Sequence, residues 1–147
     1  FVFTIFGNLS LYLAQPSGSS FSFHFSLFFS AISSVLVIGL IMPIIFWAFL
    51  VVVGMEKTVQ SFVVIVALYN YAMIFYYLSA GIGLVPIWIV KAIGFGIGGL
   101  GACKFLMTNY ASFFSKIAVE NQRSSIILVL ALEGVTAFAF FRGFFWW

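Results

Sequence analysis

Long apolar stretches alternate with short polar ones along this chain. Phe1 to Ala14 is apolar, and Gln15-Pro16-Ser17-Gly18-Ser19-Ser20 is a loop of turn formers. A second apolar run covers about 25–53, longer than a bilayer requires, so it is expected to tilt, to kink at Pro43, or to start in the interface. Gly54-Met55-Glu56-Lys57-Thr58 is a short polar turn, and a third run follows over about 60–82. Pro86 marks a tight turn and restricts Val85 before it. The fourth run is about 87–108, and the fifth about 124–147. Between them 109–123 reads as the longest polar connection, with Lys116, Glu120, Asn121, Gln122 and Arg123. Its stretch 110–123 is mildly amphipathic and is expected on the membrane surface.

Apolar runs of twenty residues satisfy their own backbone in lipid as helices, whereas barrel strands alternate every second residue. Only Phe21-Ser22-Phe23-His24-Phe25-Ser26 alternates, and it reads as an aromatic interface segment. The pattern predicts an all-α integral membrane protein, a five-transmembrane-helix bundle forming a single membrane domain over 1–147. Phe1 to Ala14 spans only about 21 Å as a helix, against roughly 30 Å of hydrocarbon. Together with a first residue other than Met, this predicts a piece of a longer chain with a truncated first span (1–14). A signal peptide fits less well, for lack of a basic leading region.

Composition agrees with this class. The chain is 65% hydrophobic and 6% charged, with mean hydropathy +1.26. Soluble domains carry about 25% charged residues. A water-soluble enzyme or binding module is therefore excluded. There is no Asp, one His and one Cys, which removes a Ser-His-Asp triad, a two-histidine metal site and an internal disulfide. No catalytic residue, metal ligand or cofactor site is read from the sequence. The net charge of +3 is too small and scattered for nucleic acid.

The basic residues set the orientation. Lys57, Lys104, Lys116 and Arg123 fall on the side of the chain start, and Lys91 and Arg142 on the other. The excess predicts a cytosolic N-terminus and a lumenal or external C-terminus. Trp88, Trp146 and Trp147 then lie near the far face as interface anchors.

Gly94-Phe95-Gly96-Ile97-Gly98-Gly99-Leu100-Gly101 contains G-x-G-x-x-G twice. A dinucleotide site also needs a preceding strand and a later acidic residue, which are missing. Small-xxx-small helix packing is the better reading, with Gly94, Gly98 and Ala102 on one face, within the chain or between subunits. Glu133 falls near mid-membrane, where an acid must face the interior, carry a proton or have a partner. Asn70 lies at nearly the same counted depth and is the expected hydrogen-bond partner, with Lys104 second. A satisfied contact between helices is favoured over a proton or ion pathway, since no chain of carboxylates continues from Glu133. Cys103, near its helix end, reads as a small packing residue before a palmitoylation site. His24 reads as structural, and the Asn8-Leu9-Ser10 sequon lies inside an apolar span.

The segment Val2 to Leu13, with Gly7-Asn8-Leu9-Ser10, resembles the first span of the Ypt-interacting-protein (YIP) family. Met42-Pro43-Ile44-Ile45-Phe46-Trp47 resembles the family's Val-Pro-x-x-x-Trp, and Tyr69-Asn70-Tyr71-Ala72 its Tyr-Gly-Tyr-Ser. Val85-Pro86 with Trp88 falls near its Ile-Pro turn, the Gly94 to Leu106 stretch resembles its small-residue span, and Phe144-Phe145 its aromatic ending. The match is ordered and covers almost the whole chain. Asn70 replaces a Gly, Ala72 a Ser, Glu133 has no counterpart, and the Asp-Leu-Tyr-Gly-Pro segment and cytosolic N-terminal region are absent. The resemblance implies a non-enzymatic, five-span trafficking protein of Golgi or endoplasmic-reticulum membranes. Its implied partners are prenylated Rab-type GTPases and other family members. Two rivals stand beside it: a hydrophobic subunit of a large respiratory or ATP-synthase complex, and a transporter or channel using Glu133, Asn70 and Lys104.

Overall fold

The computed structural model describes residues 1–15, 20–54, 59–115 and 118–144. Pro16 to Ser19 of the expected loop, Glu56 and Lys57 of the expected turn, Lys116, and Phe145, Trp146 and Trp147 lie outside the described residues. The described residues form helices α1 (Val2–Leu13), α2 (Phe25–Leu36), α3 (Met42–Val52), α4 (Val59–Ile82), α5 (Trp88–Phe114) and α6 (Val119–Phe144). A π-helical turn, Val37–Ile41, joins α2 to α3. Four stretches are long and apolar enough to cross a membrane: Phe25–Val52, Ser61–Ile82, Trp88–Phe114 and Asn121–Gly143. The 12 residues of α1 reach only about 18 Å. The architecture is thus an all-helical membrane bundle with four spanning-length helices and one shorter one.

Two boundaries differ from the sequence expectation. Helix α5 continues to Phe114 and α6 begins at Val119, so most of the expected 109–123 connection is helical. Its apolar residues are the reason. Tyr110 is fully buried, stacks on Phe46 with ring centroids 4.9 Å apart, and donates to the carbonyl of Ile65 at 3.2 Å. Phe114 is buried beside it. These aromatics extend α5 into the bundle instead of lying on a membrane surface.

The break at Pro43 has a specific chemistry. In an α-helix the carbonyl of Gly39 would receive the N–H of residue 43, and proline has none. The chain answers with the π turn just before Pro43 and with Asn70 of α4, whose Nδ2 donates to Gly39 O at 3.1 Å. Neighbouring helices and local π adjustments are the usual way lipid-embedded prolines are accommodated.

Helix α1 covers one half of the bundle, the end near the α4–α5 turn. Phe3 stacks on Phe140 of α6 at 4.2 Å and tilts against Tyr77 of α4 at 5.3 Å. Asn8 accepts the backbone N–H of His24 at 2.6 Å, tying α1 to the start of α2. Ser10 Oγ donates to Gly83 O at 3.1 Å and accepts from Lys91 Nζ at 2.8 Å. Lys91, which the charge pattern assigns to the far side of the membrane, is therefore buried under α1, 1% exposed. At the opposite end Asn121 Nδ2 reaches Val53 O at 3.5 Å.

The core lies between α4, α5 and α6. Large apolar side chains such as Leu78, Leu100 and Phe138 point outward, as a lipid-facing surface requires.

Candidate functional site

The candidate site is the polar cluster inside the α4–α5–α6 core. On α6 the buried positions Val129, Leu132, Glu133, Thr136 and Phe140 recur at helical spacing, so Glu133 is carried inward with an apolar face. Glu133 is 1% exposed. Tyr76 of α4 reaches it: its phenol oxygen is 2.6 Å from Glu133 Oε2 and 3.1 Å from the Glu133 backbone carbonyl. Gly99 of α5 makes room for this contact. A Cβ there would lie 3.2 Å from Ala137 Cβ, 3.6 Å from Tyr76 Oη and 3.8 Å from Glu133 O. Tyr69, one turn pair earlier on α4, is 1% exposed, and its hydroxyl has no partner among the described residues. Cys103 is a buried free thiol.

The expected pairing of Glu133 with Asn70 does not form. Asn70 is exposed, and its Nδ2 bonds Gly39 O and, at 2.8 Å, Val66 O. The error traces to a helix start. Depth counted from residue 124 aligns Glu133 with Asn70; the true start at Val119 moves the level five residues along α4, to within one residue of Tyr76. Lys104 is exposed on α5 and does not meet the carboxylate. Its backbone carbonyl accepts from Thr108 Oγ1.

Gly94, Gly98 and Ala102 are buried on α5. A Cβ on Gly98 would collide with Ser79 Oγ and lie 3.1 Å from Phe75 O. Gly94 packs likewise on Ile82, and Gly101 on Phe75. Ser79 Oγ sits 2.9 Å from the carbonyls of both Phe75 and Gly94, crossing the same interface. At Gly94 and Gly98 the small-residue stripe is therefore occupied within this chain by α4.

Of the residues that carry the family resemblance, Gly7, Asn8, Pro43 and Tyr69 are buried. Trp47 is half-buried and meets Phe62 edge-on at 5.4 Å. Tyr71 and Pro86 are exposed, Pro86 in the α4–α5 turn. His24 caps α2 through its backbone and sits 3.4 Å from Ser22 Oγ. The sequon at Asn8 is buried, with its side chain committed to His24 and Thr4.

Sequence reasoning missed Tyr76, Ser79, Ser10 and the burial of Lys91. For Ser79 and Ser10 no signal separated them from other hydroxyls. Tyr76 stands seven residues after Tyr69, on one face, and that spacing was legible.

An open cleft of about 250 Å³ lies elsewhere, lined by Ser33, Ser34, Val37, Val135, Thr136 and Ala139 among others, and does not include Glu133. The described residues hold no group of three or more His, Cys, Asp or Glu placed to bind a metal. Comparison with protein-family models, curated proteins and solved structures finds no match to this chain.

Proposed function

We propose that this chain is the membrane domain of a non-enzymatic vesicle-trafficking protein of the YIP type. In this reading α1 is the first of five spans, the N-terminus is cytosolic and the C-terminus lumenal, in Golgi or endoplasmic-reticulum membranes. The bundle scaffolds prenylated Rab-type GTPases and other family members at its cytosolic side.

The observation that carries the reading is the use made of the intramembrane polar groups. Glu133 with Tyr76, Ser79 with Gly94, Asn70 with Gly39 and Lys91 with Ser10 each join helices of this chain. Polar groups committed pairwise to packing suit a static scaffold better than a passage for ions. The residues behind the resemblance also sit at joints of the fold, Asn8 between α1 and α2 and Pro43 at the π turn. Because α4 occupies the face at Gly94 and Gly98, oligomerisation in this reading uses another surface.

The test is organelle fractionation with co-isolation of prenylated GTPases. Recovery with Golgi or endoplasmic-reticulum markers, and capture of a Rab-type GTPase, supports the reading. Recovery with mitochondrial membranes overturns it in favour of a subunit of a large membrane complex.

A further inference from the structure

We propose that Glu133 is held as a neutral carboxylic acid, so that the Glu133–Tyr76 contact is a proton-binding site inside the bundle. The inference is independent of the trafficking reading. The Tyr76 oxygen contacts two oxygens, Glu133 Oε2 at 2.6 Å and Glu133 O at 3.1 Å, and its phenol supplies one hydrogen. If the carboxyl is ionised, that hydrogen goes to Oε2 and is at most shared, in a weaker three-centre bond, with the carbonyl. If the carboxyl carries a proton on Oε2, that proton is donated to Tyr76 Oη, and the phenol hydrogen is donated to the carbonyl. Both contacts are then hydrogen bonds.

The surroundings agree. The titratable groups gathered around Glu133 are Tyr69 and Tyr76 from α4 and Cys103 and Tyr110 from α5, all uncharged in their ordinary states. Helices α2 and α3 contain no titratable side chain, and α1 contains only Tyr12, which is exposed. Of the described cationic side chains, Arg123 is exposed about 15 Å before Glu133 on α6. Lys91 meets Ser10, about 12 Å along α5 from Gly99. Lys104 is exposed, and Arg142 is exposed about 13 Å further along α6. The buried hydroxyl of Tyr69 makes no bond to this carboxyl. A buried position with no counter-cation among the described residues favours the uncharged form of an acid.

The chain suits a direct test, because it has three acidic side chains and no Asp. Infrared spectra of the full chain in lipid bilayers at pH 7 are compared with those of Glu133→Gln. The expected difference is loss of a protonated-carboxyl C=O band, which in the wild type shifts down on transfer to D2O. Tyr76→Phe is expected to shift the same band upward, by removing its hydrogen-bond acceptor. Loss of carboxylate bands in Glu133→Gln, with no protonated band, overturns the proposal. Should Glu133→Gln fail to fold, Tyr76→Phe decides alone: an unchanged protonated-carboxyl region overturns the proposal, and an upshift supports it.

Discussion

The link between Pro43 and Asn70 makes a sharp prediction. Replacing Asn70 with Leu removes the donor to Gly39 O at 3.1 Å while keeping similar volume. Gly39 is buried, and Pro43 offers its carbonyl no N–H. A buried carbonyl left unpaired costs about 1–3 kcal/mol. Hydrogen bonds between membrane helices are worth less, about 0.6 kcal/mol on average and about 1.7 at most. The lower scale should weigh more here, because Asn70 is exposed at the helix surface and can give its other bond, to Val66 O, within its own helix. Asn70→Leu is therefore expected to cost about 1 kcal/mol. Restoring the N–H with Pro43→Ala gives Gly39 O a donor from its own helix, so Asn70→Leu in that background should cost under about 0.5 kcal/mol. A double-mutant cycle by equilibrium unfolding in mixed detergent micelles measures the difference. Equal costs in the two backgrounds would refute the reasoning, since Asn70 would then act by something other than the orphaned carbonyl.

Gly98→Ala should destabilise the α4–α5 pair by about 1–3 kcal/mol, because Ser79 and the Phe75 carbonyl occupy the space. Gly96→Ala, with nothing near its Cβ position, should be neutral or stabilising by roughly 0.5–1 kcal/mol in the same unfolding assay. Asn8→Ala should cost about 1 kcal/mol and expose the α1–α2 connection to faster proteolysis, since it leaves the His24 N–H unpaired. Ser10→Ala removes an acceptor from the buried Lys91 ammonium and should cost about 1.5–3 kcal/mol; a change within error would show that this contact does not hold α1. Single cysteines at Gly54 and Pro86, in a Cys103→Ala background, should react with impermeant thiol reagents from opposite sides of the membrane; labelling from one side would overturn the alternating topology.

The membrane class, four spanning-length helices, the break near Pro43 and the inward-facing Glu133 were legible in the sequence. Each follows from hydropathy, length or local backbone chemistry, which act over one or two turns. The partners were not. Glu133 meets Tyr76 and not Asn70, because α5 runs on to Phe114 with Tyr110 and Phe114 buried, and α6 already starts at Val119. Asn70, which looks like a partner for an acid, serves a carbonyl that proline 43 has orphaned in another helix. Lys91 reads as a topology charge until α1 is laid over it. The glycine stripe predicts close approach but not against what, and the fold supplies α4. Apolar periodicity states that a side chain is buried; only the relative level and rotation of packed helices states against which atom, and a slip of five residues moves that level by about 7.5 Å.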